Sequence, residues 1–155
     1  MPTWSDSELA QLKEWLTRAK RARAGHRDSG KYFARLHRWV GNCAVSLSVL
    51  TGGGFAASLQ NSSIGRWVLV GTSGLAGVLT YVQTVERFDR TAERHEIARS
   101  EYASVCREIE RVLALDASNR KSPPHVLQRI ARRLDELAKL NTPIPEMIWK
   151  KANSK

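Results

Sequence analysis

The stretch of sequence that decides the fold runs from residue 67 to residue 112 and reads WVLVGTSGLAGVLTYVQTVERFDRTAERHEIARSEYASVCREIERV. Its first 19 residues, up to Val85, contain no Asp, Glu, Lys, Arg or His, whereas charges recur every two or three residues from Glu86 onward. A seven-residue repeat nevertheless crosses this border. The first position of the repeat holds Trp67, Gly74, Tyr81, Phe88, His95, Tyr102 and Ile109. The second position, three residues later, holds Val70, Gly77, Thr84, Thr91, Ala98, Val105 and Val112. This 3-4 spacing predicts one continuous helix, about 70 Å long, with a single packing seam.

The uncharged half of this helix is predicted to span a membrane and to continue directly into the cytosol. A run of 19 uncharged residues is long enough to cross the hydrocarbon layer. The run also contains Gly71, Gly74 and Gly77, and glycine is commoner in membrane helices than in soluble ones. The alternative is a long buried helix within a soluble helical bundle.

A second uncharged run, from Trp39 to Leu59, precedes the first and is also long enough to span a bilayer. The link between them, residues 60–66, is short and rich in turn-forming residues, so the two runs are predicted to form an antiparallel hairpin. The 20 residues before the hairpin hold seven Lys or Arg, the 20 after it hold four, and the link holds one. The positive-inside rule therefore predicts a multi-pass protein of the inner membrane with both termini in the cytoplasm.

The predicted fold class is an all-α integral membrane protein with three regions. Residues 1–38 form an N-terminal cytoplasmic arm, capped at Ser5 or Ser7 and weakened around residues 27–29; residues 39–85 form the two-span hairpin (39–59 and 67–85). Residues 86–155 form a cytoplasmic helical region. In it, Ser122 and two prolines begin a helix that ends near Asn141, and a short last helix follows over 145–151. These helices are predicted to fold back on the long helix and the arm as a small bundle.

Polar and small residues share one face of each predicted span. On the second span this face holds Ser73, Gly77, Thr80 and Thr84, and on the first it holds Asn42 and Ser46. One interpretation is helix packing in lipid, where small residues let backbones approach and hydroxyls bond between helices. The other is a subunit interface whose polar face lines a water-filled path. One hairpin cannot enclose a pore, so the second interpretation requires a homo-oligomer.

The composition argues against several other classes of function. The chain carries 25 Lys and Arg against 15 Asp and Glu, a net charge of +10, which would also suit a nucleic-acid-binding protein. The basic cluster ends where the first uncharged run begins, however, so anionic lipid is the preferred partner and no direct nucleic-acid contact is predicted. There is no GxSxG, HExxH or P-loop motif, so no enzyme activity, cofactor or metal site is predicted. His95 and Tyr102 lie on the seam and are interpreted as packing residues.

The order of several short motifs resembles the SLATT family, the SMODS and SLOG-associating two-transmembrane effector domain. An arm with His26, Tyr32 and His37 enters the first span, and the second span leads into the sequence QTVERF at 83–88. AERH at 92–95, Tyr102, REIE at 107–110, RLD at 133–135 and PIP at 143–145 follow in order. His95 and Tyr102 match recurring positions of that family. The resemblance covers residues 22–149.

The resemblance implies an effector of a prokaryotic anti-phage system. Such effectors are expected to oligomerise and permeabilise the inner membrane when an upstream signalling protein or a cyclic nucleotide triggers them. The predicted mechanism is a rearrangement of the cytoplasmic bundle that passes along the continuous helix into the membrane. The alternatives are a membrane-anchored adaptor without a pore and a soluble, basic nucleic-acid-binding helical protein.

Overall fold

The computed structural model describes residues 4–52, 62–116, 120 and 122–153, and every regular element in these ranges is an α-helix. The five helices are α1 (Asp6–Gly52), α2 (Ser63–Glu86), α3 (Phe88–Ala114), α4 (Pro123–Leu140) and α5 (Glu146–Asn153). The predicted all-α class is therefore confirmed. The chain divides into two compact units, which we call the terminal unit (Met1–Lys31 with Ala92–Lys155) and the central unit (Tyr32–Thr91).

Helix α1 begins with the capping arrangement that the sequence predicts. The backbone N–H of Ser5 donates to the Glu8 carboxylate at 2.8 Å, and the N–H of Glu8 donates back to the Ser5 hydroxyl at 3.3 Å. Two orphan donors of the first turn are thus satisfied, an arrangement that typically stabilises a helix by about 1 kcal/mol. Leu12 and Ala19, seven residues apart and therefore on one face of the helix, are fully buried in the terminal unit.

The prediction of a weak point in α1 around residues 27–29 is wrong, because the 47-residue helix passes through these positions without interruption. The flanking glycines are buried contact points and do not end the helix. A side chain at Gly25 would come within 2.7 Å of Ile144, and one at Gly30 would touch the Ala92 carbonyl and the His95 Cβ. Glycine at these positions therefore lets other segments of the terminal unit approach the α1 backbone closely, and this packing outweighs glycine's poor helix propensity.

The core of the terminal unit lies between α1, α3 and α4, as the predicted fold-back of the C-terminal helices requires. The buried cluster consists of Leu12, Ala19, Tyr102, Val105, Cys106, Ile109, Val126, Ile130 and Leu137. Helix α4 begins at the two prolines, as predicted, although the Ser122 side chain makes no capping bond. It ends at Leu140, and the backbone N–H of the C-cap residue Asn141 donates to the Leu137 carbonyl at 3.1 Å.

In the central unit, the second half of α1 packs antiparallel against α2. The Phe33 ring stacks on Phe88, with 6.4 Å between ring centroids, whereas eight residues further along α1 a Cβ at Gly41 would lie 3.0 Å from the Gln83 amide. Residue numbers that increase along α1 therefore pair with residue numbers that decrease from α3 into α2, so the two segments run antiparallel. Small residues, including Ala44 and Ala76, are buried in this contact. Residues 53–61, which include the end of the first uncharged run and the first two residues of the predicted link, lie outside the described residues. The last four residues of the predicted link, 63–66, are helical, because α2 already begins at Ser63.

The prediction of one uninterrupted helix from Trp67 to Val112 is wrong at a single residue. Arg87 adopts the left-handed conformation (φ 43°, ψ 49°), so α2 ends at Glu86 and α3 begins at Phe88. The seven-residue repeat packs only on the α3 side, where it places Phe88, His95, Tyr102 and Ile109 in buried positions.

Helix α2 buries a different set of positions. Trp67 and Tyr81, which belong to the predicted seam, are 77% and 68% exposed. The α2 residues that are buried or half-buried at 3-4 spacing are Gly65, Leu69, Thr72, Ala76, Leu79 and Gln83. The two helices thus select different registers, α2 by close approach of small residues and α3 by large apolar ones. The backbone of Arg87 absorbs the mismatch.

Replacing Arg87 with glycine should stabilise the chain. An L-residue in the left-handed region is strained by about 1 kcal/mol, which glycine relieves, so Arg87→Gly should raise the free energy of unfolding by about 0.5–1 kcal/mol. Glu86→Gly, one residue earlier and helical, should lower it by a similar amount. Thermal unfolding of both variants in detergent, followed by circular dichroism, measures the difference. Equal destabilisation by the two changes would contradict the left-handed assignment.

Candidate functional site

The outer surface of α2 is apolar and exposed along its whole length. Its large exposed residues are Ile64, Trp67, Val68, Val70, Leu75, Val78, Tyr81 and Val85. An 18-residue window in the helical stretch that starts at Ser63 has a mean hydropathy of 1.4, and only 6% of it is buried. A core helix of a soluble protein would be mostly buried, so an apolar helix this exposed needs a covering that the described part of the chain does not provide.

The length of α2 suits lipid as that covering. Its 24 residues extend about 36 Å, compared with about 30 Å for the hydrocarbon core of a bilayer. Among the described residues this stretch is the one helix long and apolar enough to cross a membrane. The first uncharged run is described only up to Gly52, so its predicted crossing is not tested over its full length.

The six residues predicted to line a pore or a subunit interface are all exposed in the central unit. They are Asn42, Ser46, Ser73, Gly77, Thr80 and Thr84. Of these six, Thr80 lines a groove of about 450 Å³ between α1 and α2, beside Gly41, Ser48 and Gln83. A Cβ placed on Gly77 would meet no atom within 4 Å. The structure therefore brings Thr80 to the α1 contact and leaves Gly77 facing outward.

The threonine hydroxyls of α2 are satisfied within their own helix. Thr80 Oγ1 donates to the Ala76 carbonyl and Thr84 Oγ1 donates to the Thr80 carbonyl, each at 2.9 Å. On α1, Ser48 Oγ donates in the same way to the Ala44 carbonyl at 2.8 Å. These hydroxyls therefore make no hydrogen bond between α1 and α2. The packing interpretation had included hydrogen bonds from hydroxyls of one helix to the other. A hydroxyl held in this way can face lipid, water or a second copy of the chain.

A second cluster, buried in the terminal unit, joins two histidines and a tyrosine. His26 from α1 and His95 from α3 approach with their Nδ1 atoms 2.9 Å apart. The Tyr102 ring, seven residues after His95 on the same helix, stacks on His26 with 5.5 Å between centroids and an interplanar angle of 20°. All three residues are buried, and His95 has no exposed surface.

Burial sets the electrostatics of this cluster. Burial and, to a smaller degree, repulsion from the neighbouring His95 together lower the pKa of His26 from 6.5 to about 4. Burial also lowers the pKa of His95. The pKa of the Tyr102 phenol is raised by burial, with an opposing contribution from a hydrogen bond with Asn141. The cluster is therefore uncharged at neutral pH.

His95 and Tyr102, which the sequence pattern predicts to be packing residues, are buried, but that pattern did not identify His26 as the partner of His95. His26 is 69 residues away in sequence. No spacing rule links the two, because the register of α1 against α3 decides which α1 residue faces His95. Within the described ranges there is no group of three or more His, Cys, Asp or Glu side chains placed to hold a metal ion.

No protein-family model matches the chain, and no curated protein and no solved structure matches it either. The resemblance to the SLATT family therefore stays a prediction from the sequence motifs.

Proposed function

We propose that the protein is a two-span effector of a prokaryotic anti-phage defence system, which oligomerises and permeabilises the inner membrane when triggered. The single observation that supports this proposal most strongly is that α2 is apolar and long enough to cross a bilayer, yet only 6% of its apolar stretch is buried. In the proposed arrangement α2 crosses the membrane, the second half of α1 and the residues after it form the other span, and both termini lie in the cytoplasm.

The glycines of α2 support assembly of several copies. Gly71, Gly74 and Gly77 are exposed, and a side chain added to any of them would meet no atom within 4 Å in the single chain. In lipid, small residues favour close contact between helix backbones, and here that contact is left for another copy to make. Neighbouring copies would then bring the faces of Ser73, Thr80 and Thr84 around a shared, water-filled path.

The trigger is proposed to act on the terminal unit, through a partner protein or a nucleotide signal as the resemblance implies. The left-handed residue Arg87 changes the predicted route of transmission. A movement of α3 would reach α2 through one non-helical residue and not through a rigid, continuous rod. The φ and ψ angles of Arg87 are then the place where such a rearrangement is absorbed.

A leakage assay tests the pore directly. Replacing Ser73, Thr80 and Thr84 together with leucine should reduce triggered dye release from liposomes containing the purified protein to background, because the path loses its polar lining. The matched control replaces Val70, Val78 and Val85 with leucine and should leave release near the wild-type level. Candidate nucleotide signals and partner proteins are added to both.

The main alternative is a membrane-anchored adaptor without a pore. The hydroxyls of Thr80 and Thr84 favour it to some extent, since their bonds to helix carbonyls suit a dry, lipid-facing position. An adaptor should tolerate the triple leucine substitution with no loss of partner binding and should release no dye at any stage. That outcome would replace the pore proposal with the adaptor.

A further inference from the structure

A cationic cleft of about 520 Å³ lies between α3 and α4 in the terminal unit. Helix α3 contributes Arg107 and Arg111 to it, one turn apart, and α4 contributes Arg129 and Arg133 with the same spacing. Val112 and Val126 form an apolar part of the lining. The volume is in the range of small-molecule sites in proteins.

One carboxylate inside the cleft holds the two α4 arginines. Glu108 Oε1 pairs with Arg129 at 2.7 Å, and its Oε2 pairs with Arg133 at 2.6 Å. Arg133 also approaches the Ser104 hydroxyl at 3.4 Å. Glu108 is only 19% exposed, so this arrangement is more fixed than an ordinary surface ion pair. Each oxygen of Glu108 is thus engaged by one α4 arginine.

The two α3 arginines are not neutralised in this way. Arg107 and Arg111 are exposed, and no ion pair or hydrogen bond to either is observed in the described part of the chain. Arg120 also lines the cleft and donates to the Leu113 and Leu115 carbonyls. Five guanidinium groups against one carboxylate leave the lining with a net charge of +4. Like charges four residues apart on a helix repel each other, and here two such pairs face the same space. A bound anion would turn this repulsion into attraction.

The chemistry of the lining selects the class of anion. Guanidinium groups present paired N–H donors that match two oxygens of one phosphate, and several of them together match a ligand with more than one phosphate charge. A monocarboxylate would neutralise a smaller part of the excess positive charge in the cleft.

We propose that this cleft binds a phosphate-bearing ligand with at least two negative charges, with Arg107 and Arg111 as direct ligands and with Arg129 and Arg133 oriented by Glu108. The site does not depend on the proposed pore function. The same chemistry is offered by a soluble di- or polyphosphate and by the headgroups of anionic lipids. The two sources are distinguished by experiment.

Binding is measured with the full-length protein in neutral detergent. Isothermal titration with inorganic pyrophosphate forms one arm. In the other arm the titration is repeated after the detergent is supplemented with cardiolipin, whose headgroup carries two phosphates, or with phosphatidylcholine as the neutral control. Saturable pyrophosphate binding that cardiolipin does not displace identifies a soluble ligand. Displacement by cardiolipin but not by phosphatidylcholine identifies a lipid headgroup.

Three double substitutions test the residues. Arg107→Gln with Arg111→Gln should weaken pyrophosphate binding about tenfold or more, because charge-assisted hydrogen bonds are lost. Arg132→Gln with Lys139→Gln removes the same charge from exposed positions of α4 outside the cleft and should change the affinity little. Arg107→Lys with Arg111→Lys keeps the charge and should give an intermediate loss, which also guards against a folding defect in the glutamine pair. Equal losses from the cleft pair and the α4 control pair, or the absence of saturable binding, would overturn the proposal.

Discussion

Replacing Leu75 with arginine should reduce the fraction of the chain that stays in the membrane after carbonate extraction. Leu75 lies at the middle of α2 and is half exposed, so in the proposed arrangement its side chain faces the centre of the bilayer. An arginine at the centre of a spanning helix opposes insertion by about 3 kcal/mol. That penalty is large for α2, because four of its 24 residues are glycines, which contribute little apolar surface. Fractionation of cells into membrane and soluble material, before and after carbonate extraction, measures the effect.

The matched control adds the same charge outside the span. Ser100 is exposed on α3, and Ser100→Arg should leave the chain in the membrane fraction. If Leu75→Arg remained membrane-integrated to the same extent as Ser100→Arg, α2 would not be the spanning helix. The central unit would then need another covering for its apolar surface, such as a partner protein.

Acidification should destabilise the terminal unit through its buried histidines. The folded pKa of His26 is lowered to about 4, whereas the unfolded value is 6.5, so the unfolded chain binds the proton more strongly. The stabilising contribution is therefore complete above pH 6.5 and is lost as the pH falls towards 4. The linkage relation gives a loss of about 2–3 kcal/mol between pH 7.5 and pH 4.5.

His26→Gln tests this prediction, because it removes the titrating group and keeps a polar side chain. The variant should lose less stability than the wild type between pH 7.5 and pH 4.5, although His95, whose pKa is also lowered by burial, keeps part of the dependence. His125, exposed on α4, provides the control substitution His125→Gln. Thermal unfolding in detergent at several pH values gives the comparison. Parallel pH profiles for wild type and His26→Gln would exclude His26 as the source.

The local features of the fold are predictable from the sequence because they depend on neighbours in the chain. Ser5 with Glu8 begins α1, the two prolines after Ser122 begin α4, and the repeat from Phe88 to Ile109 defines the buried face of α3. Each of these follows from backbone hydrogen bonding or from helical periodicity within a few turns.

The errors arise where tertiary contacts overrule such local signals. Glycines at 25 and 30 predict a weak helix, but in the terminal unit they permit close packing and α1 continues. No proline or glycine marks the break at Arg87, because its cause is a mismatch between the buried registers of α2 and α3.

The candidate sites divide in the same way. Periodicity placed Thr80 and Thr84 on one face, and their exposure agrees with this, but it could not show that their hydroxyls bond within α2. The pairing of His26 with His95 and the cleft between α3 and α4 each depend on how one helix is placed against another. That placement is decided by packing over many residues. A single sequence contains no periodic signal that reveals the register of one helix against another.

The close approach of the two Nδ1 atoms of His26 and His95 also fixes where hydrogens can reside. Only one hydrogen fits between two nitrogens 2.9 Å apart, so one imidazole must donate and the other must accept. In the neutral pair the donor ring is the Nδ1–H tautomer, and the acceptor ring carries its hydrogen on Nε2. The two rings are therefore inequivalent, and nitrogen NMR of the selectively labelled histidines should show one of each form.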